Sequence, residues 1–244
     1  MNNFKIPLHA RLFYSIRNIH FPTFRLIYFF LKRRYEKSEL SFLRERVTPE
    51  MVVMDIGANI GFYTNFLSEL VGSEGQVHAF EPDPFNFSRL QETTGPLKNV
   101  QRHQVAIGPE DGRMSLFLSS SANIDSYLTE SSGANTQTVA VRSMDSFCRN
   151  MEHVDGIKMD IQGGEYGALK GMQKTIERNR HMWILFEFWP FGLVRSGSRP
   201  EAVLDLLEKY GFNCSLLDGS PARRFPIEPD NWKSFVDVFA EPKQ

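Results

Sequence analysis

The sequence predicts an α/β protein, a layered sheet with helices on both faces, and three observations predict it. From Pro49 onward, short apolar runs alternate with segments of helical spacing. The first run, residues 51–56, ends in a glycine-rich turn. The second, residues 76–80, ends at an acidic residue, Glu81, 20 residues beyond the last glycine of that turn. Buried parallel strands read as continuous apolar runs, and ligands in such sheets sit at the carboxyl ends of the strands.

The chain opens differently. Leu8, Leu12, Ile16 and Ile19 recur at helical spacing, Pro22 interrupts, and Phe24, Ile27, Leu31 and Tyr35 resume it. Residues 1–48 carry ten Lys or Arg against three Glu, so the overall charge of −1 conceals a basic arm on an acidic body. The arm's longest stretch free of charge and proline, residues 26–31, falls far short of the ~20 apolar residues that span a bilayer. Arg11, Arg17 and Arg25 interrupt any signal-peptide core. Residues 1–46 are therefore expected to form a basic amphipathic helical extension to a domain at 47–244. The extension has four readings: a cap on the domain, a homodimer contact, a peripheral contact with anionic lipid on the inner membrane face, or a nucleic-acid contact. The acidic body is not expected to bind nucleic acid.

Within the domain, residues 51–56 form the first strand. Phe62, Phe66, Leu67 and Leu70 mark a helix that Gly72 ends. A strand at 76–80, a helix at 84–93 and a strand at 100–106 follow. Residues 114–118 and 138–142 read as extra strands around a polar loop, 119–137, a candidate substrate lid. Further strands lie at 156–161, 182–188, 212–217 and 234–240. Between them lie helices at 164–179 and 200–210, the second with Ser198 as N-cap and Gly211 just past its end. Hydrophobic residues at 41% and charged residues at 23% exclude a disordered, collagenous or disulfide-stapled chain. Two cysteines, Cys148 and Cys214, are too few for structural zinc and point to a reducing, cytoplasmic setting.

The first strand ends Asp55-Ile56-Gly57-Ala58-Asn59-Ile60-Gly61. Glycines allow a tight turn and a close backbone approach to a ligand, and the next helix offers free N–H groups. Glu81 can accept both hydroxyls of a ribose, so the pair implies a nucleoside cofactor. Aligned on Gly57, a dinucleotide turn would need glycines where Asn59 and Phe62 stand, which disfavours a nicotinamide oxidoreductase. No P-loop occurs. Acidic Asp55 suits the cationic amino-acid tail of S-adenosylmethionine better than a pyrophosphate.

These residues resemble the motifs of FkbM-type S-adenosylmethionine methyltransferases. Val53 to Thr64 is similar to the family's first motif and Phe80-Glu81-Pro82-Asp83-Pro84 to its second. The similarity continues through 99–108, 112–118 and Val141-Arg142-Ser143-Met144-Asp145 to Asp155–Glu165 and Leu169-Lys170-Gly171. The resemblance implies a Rossmann-like, seven-stranded, mostly parallel sheet with an antiparallel last strand. It implies S-adenosylmethionine as cofactor and S-adenosylhomocysteine as product, with O-methyl transfer to a glycan or small natural-product-like hydroxyl. The motif positions make Asp55, Gly57, Ala58, Asn59, Gly61, Phe62, Tyr63, Thr64, Glu81, Pro82 and Ala106 the candidate cofactor-binding residues. Where the family usually has Val-Glu-Gly after the fourth-strand aspartate, this chain has Ile161-Gln162-Gly163. The Asn/Asp-Pro-Pro-aromatic motif of enzymes that methylate base amines is absent there.

Methyl transfer to a neutral hydroxyl calls for alignment and a base. Asp160, at the carboxyl end of the fourth strand, is the first candidate, with Glu165 and Glu187 as the next carboxylates. Glu187 interrupts an apolar strand, which usually has a functional reason. The alternative for Asp160 and Glu165 is a structural role at the following helix. His103 reads as a strand residue. Asp160 and Glu187 offer oxygens of the kind Mg²⁺ takes, but no third ligand stands out and no metal set is assigned. Trp189 and Phe191, more than Trp183, are placed to stack on a flat acceptor. A second functional class is a non-catalytic nucleoside-binding module docked on a membrane or partner through its arm.

Overall fold

A computed structural model of the chain describes residues 20–118, 135–231 and 234–243. Two helices, α1 (Phe21–Tyr35) and α2 (Lys37–Arg46), precede the domain. Pro22 stands in the first turn of α1, where a missing N–H costs nothing. The first half of the expected arm pattern and the 119–134 part of the expected lid lie outside the described residues.

The central sheet has seven strands: β1 (Val52–Ile56), β2 (Gln76–Phe80), β3 (Val100–His103), β7 (Gly156–Met159), β8 (Trp183–Phe188), β9 (Phe212–Leu216) and β10 (Val236–Pro242). Their order is β3-β2-β1-β7-β8-β10-β9. Every pairing is parallel except those of β10, which runs antiparallel to β8 and β9. This is the sheet the resemblance implied. Strand order reverses between β1 and β7, so a crevice opens above their carboxyl ends.

Alternation along the strands builds two cores. Met54, Ile56, Ile157, Met159, Ile184 and Phe186 face one side. There they meet α6 (Glu165–Lys170), α7 (Gln173–Arg178), α8 (Pro190–Arg195) and α9 (Pro200–Lys209). Val53, Val77, Ala79, Leu185 and Phe239 face the other, against α2, α3 (Phe62–Val71) and α4 (Pro84–Thr94). The odd-numbered face of β1 and β8 and the even-numbered face of β7 thus continue past the second core into Asp55, Glu187, Lys158 and Asp160.

Four expectations are corrected. The expected strand 100–106 is two elements: β3 stays in the main sheet, and β4 (Ala106–Ile107) joins β5 (Gly112–Leu118) and β6 (Asn135–Arg142) in a separate sheet of order β4-β6-β5. The last three residues of the expected loop, 135–137, belong to β6. The expected helix 164–179 breaks after Lys170, because Gly171 lies so close to the Gly108 carbonyl that a Cβ would meet its oxygen at 2.1 Å. Asp145 then caps the restarted helix α7, accepting from the N–H groups of Lys174 (3.1 Å) and Thr175 (2.7 Å). The N-cap of α9 is Arg199, not Ser198; Pro200 opens that helix and has no N–H to satisfy.

Candidate functional site

The glycine-rich turn crosses the end of β2. Gly57 and Ala58 both donate N–H to the Phe80 carbonyl, at 3.0 and 2.9 Å. Gly57 (φ +86°), Asn59 (+52°) and Gly61 (+93°) are all left-handed. A Cβ at Gly57 would meet the Asp160 carbonyl oxygen at 1.9 Å, so only glycine lets the turn press against the end of β7. The Asp160 N–H in turn bonds the Ile56 carbonyl at 2.9 Å. Gly61, the N-cap of α3, has no side chain to cap the helix, which leaves its first-turn N–H groups available to an anion.

Asp55 is fully buried beneath this turn and accepts from the Thr64 hydroxyl at 2.6 Å through Oδ2. Its Oδ1 is buried with no hydrogen-bond partner. Burial raises its pKa, against the opposing charge of Lys158 and the Thr64 bond. Glu81 accepts from the N–H of Asn59 (2.8 Å) and of Asp83 (2.9 Å), one on each oxygen. Burial pushes its carboxyl up to about 8, although those N–H groups pull it down. Pro82 lies half-buried between Glu81 and Asp83, and Asp83 caps α4. Ala106 stands apart, packed with Leu116, Val139 and Val141 in the small sheet.

The candidate base and its neighbours form a constellation. Gln162, itself left-handed at φ +54°, donates from one amide nitrogen to Asp160 Oδ1 at 2.7 Å and to Glu187 Oε2 at 3.0 Å. Lys158 Nζ lies 3.4 Å from Asp160 Oδ2. Burial disfavours the Asp160 anion, but Lys158, Lys32 and the Gln162 N–H outweigh it and hold the carboxyl below the usual range. Glu165 turns away: fully buried, its Oε1 accepts the N–H of Ile161 and of Gly163, both at 3.2 Å, closing the turn after β7. Burial raises its carboxyl to about 7.

The arm reaches this constellation. Phe29 of α1 meets the Phe62 ring edge-on at 5.2 Å. Lys32 lies 5.2 Å over the Tyr63 ring and pairs with Glu36 at 2.6 Å. Tyr63 donates its hydroxyl to Glu36. Phe62 and Tyr63 therefore join the glycine-rich turn to the arm. Asp237, opposite Glu187 in register, faces Glu39 of α2, and burial and the neighbouring Glu39 raise its pKa well above the ordinary.

Lys32, Glu39, Lys158 and Asp237 lie outside the sequence-based set. Lys158 and Asp237 carry the same signal that singled out Glu187, a charge inside an apolar strand. His103 is stacked between His78 and Phe80 at the end of β3, and burial lowers it to about 4. Trp183 packs over Gly156 in the core. Trp189 and Phe191 lie together past β8, with ring centroids 5.4 Å apart and Trp189 pressed on Gly192. Among the described residues no group of three or more metal-ligating side chains occurs. No described helix is long and apolar enough to cross a membrane.

Residues 55–214 match the family model for the methyltransferase FkbM domain. The 2-O-methyltransferase NoeI of Sinorhizobium fredii is 29% identical over 181 residues, 66% of this chain and 73% of that protein. The hexuronic acid methyltransferase AglP of Haloferax volcanii is 26% identical over 147 residues, 59% of either chain. A solved structure of a Streptococcus mutans protein, assigned as a methyltransferase and in complex with SAH, has a TM-score of 0.52 at 14% identity. The match covers 84% of this chain and 96% of that one, and the likeness is one of fold.

Proposed function

The chain belongs to the FkbM methyltransferase family, and from that membership we propose that it transfers a methyl group from S-adenosylmethionine to a hydroxyl of a sugar or glycan. The observation that carries this is the direct packing of the cofactor turn on the candidate base: Gly57 lies against the Asp160 backbone, and the Asp160 carboxylate stands beside Glu187. Relatives named for 2-O-methylation and for hexuronic acid methylation support a sugar acceptor.

The residues present fit the cofactor. The unpartnered Oδ1 of Asp55 is an acceptor in need of a donor such as an ammonium group. The α3 N-terminus suits a carboxylate. Each oxygen of Glu81 has a lone pair left for a ribose hydroxyl beyond the N–H it accepts. When bound, S-adenosylmethionine supplies a methyl group on a positively charged sulfur that departs as a neutral thioether. Asp160 takes the acceptor's hydroxyl proton as that oxygen gives up a lone pair to carbon. The hydroxyl becomes acidic only as its new bond forms, so an ionised, weakly basic carboxylate is adequate. Glu187 is placed to accept from a neighbouring hydroxyl and fix the acceptor's orientation.

A panel of methyl glycosides with labelled methyl donor tests this. Wild-type protein should methylate at least one neutral glycoside. Asp160→Asn should lose about 100-fold or more in kcat while S-adenosylhomocysteine affinity is kept. A fully active Asp160→Asn variant would remove Asp160 from the role. The exposed apolar face of α1, Leu26 and Phe30 beside Arg33 and Arg34, further supports a peripheral contact with anionic lipid.

A further inference from the structure

We propose that Gln162 is a positioning residue: its amide N–H₂ group ties Asp160 to Glu187 and holds the two carboxylates side by side, in the place a bridging cation would otherwise take. This rests on the reading of Asp160 as the proton acceptor.

Two anions brought within reach of one donor repel each other unless something between them offers positive charge or hydrogens. One nitrogen, 2.7 Å from Asp160 Oδ1 and 3.0 Å from Glu187 Oε2, offers a hydrogen to each. An amide has two such hydrogens and no charge. A carboxylate of the same shape at this position would instead be a third anion within contact of the other two.

The backbone is committed to this placement. Gln162 is left-handed at φ +54°, a conformation L side chains rarely adopt. Glu165 holds the turn on either side of it through the N–H groups of Ile161 and Gly163. Gly163 (φ +102°) follows, so close to the Gly192 carbonyl that a Cβ would meet its oxygen at 2.3 Å. These contacts aim residue 162 across the crevice from β7 toward β8.

Asp160 faces charge from every neighbouring element. Lys158 on β7 and Lys32 on α1 favour its ionised form. Asp55 on β1, Glu165 on α6 and Asp237 on β10 interact with it as like charges. Glu187 on β8 is reached through the amide. The two lysines supply charge to Asp160, whereas the Gln162 amide touches both Asp160 and Glu187.

The test is carboxyl ¹³C NMR titration of Asp160 in wild-type protein, Gln162→Glu and Gln162→Gly, with calorimetric S-adenosylhomocysteine binding to each. Glycine keeps the left-handed turn and removes the whole side chain, amide included; glutamate keeps the shape, removes the hydrogens and adds a negative charge. Asp160 should titrate below the ordinary carboxylate range in wild type. Gln162→Glu should raise its midpoint by at least about one pH unit, and Gln162→Gly by a smaller amount. S-adenosylhomocysteine affinity should change less than about threefold in both variants. Unchanged Asp160 midpoints in both variants would overturn the proposal, as would a loss of cofactor affinity in Gln162→Gly, which would make the side chain a support of the turn. The titration reads the carboxyl directly, so its outcome is separate from that of the Asp160→Asn transfer assay, whose full activity would overturn the base reading underneath.

Discussion

Glu81 sets the most direct test at the scale of a residue, because the free protein holds its proton at neutral pH. Burial pushes its carboxyl up to about 8. A carboxyl whose pKa is raised on folding contributes stability that is complete below its unfolded value of roughly 4.3 and is lost as pH rises through about 8. Ribose hydroxyls donate to the ionised form and so lower that pKa on binding. S-adenosylhomocysteine should therefore bind with release of close to one proton at pH 7, and bind more tightly as pH rises from 6 to 8. Calorimetry in buffers of different ionisation heat measures the release directly. Glu81→Gln should abolish it and weaken binding by about 1–3 kcal/mol; an unchanged proton count would place the ribose elsewhere. Such single residues were legible where local sequence defines their setting: Asp55, Gly57 and Glu81 stand at strand ends beside turns. Lys158 and Asp237 obey the rule that marked Glu187, yet Asp55, which faces Lys158, comes from another strand and Glu39, which faces Asp237, from the arm, and pairing across a sheet is not written in one segment.

At the scale of elements, the turn after β1 is constrained more by what it touches than by its own conformation. Gly57→Ala forces a left-handed alanine and sets its Cβ 1.9 Å from the Asp160 carbonyl oxygen, so the turn and the end of β7 must separate. The combined strain and displacement should cost about 3 kcal/mol or more. For a chain of this size that is a fall in Tm of roughly 6–12 °C. The variant should also lose S-adenosylhomocysteine binding. By contrast, Gly72→Ala meets nothing within 4 Å and suffers only its left-handed φ of +69°, which gives a control with backbone strain and no clash. Thermal melts of the two separate close approach from conformation. Close approach also explains where the structure departs from the sequence pattern. The period of residues 164–179 is helical throughout, and what breaks the helix is the packing of Gly171 on Gly108, two segments far apart in sequence. The split of 100–106 has the same origin: β4 leaves the main sheet to pair with Val141 and Arg142.

At the scale of the whole molecule, the arm is built into the domain through α2 and leaves one face of α1 exposed. Leu40, Leu43 and Val47 are buried in the core shared with α3 and the sheet. Phe42 meets Phe239 at 4.6 Å, and Arg46 lies 3.6 Å from Glu241. Removing residues 1–46 therefore strips apolar cover from Phe239, and a variant so made tests folding rather than lipid contact. Helix α1 is divided by face. Phe21 and Phe24 pack on Ile60 of the glycine-rich turn, while Leu26 and Phe30 are 73% and 68% exposed, with Arg33 and Arg34 following them. An apolar stripe beside arginines is the pattern of a helix lying on an anionic surface. The double variant Leu26→Glu/Phe30→Glu leaves the inner face untouched, so its melting temperature and S-adenosylhomocysteine affinity should match wild type. Its binding to phosphatidylglycerol vesicles should fall at least about tenfold, because two side chains lose burial worth roughly 1.5–3 kcal/mol each. Vesicles of neutral phosphatidylcholine should bind both proteins weakly. Equal binding of variant and wild type to anionic vesicles, or no binding by either, would rule out α1 as a membrane contact and leave it a cap over Phe62 and Tyr63, holding Lys32 in the field of Asp160.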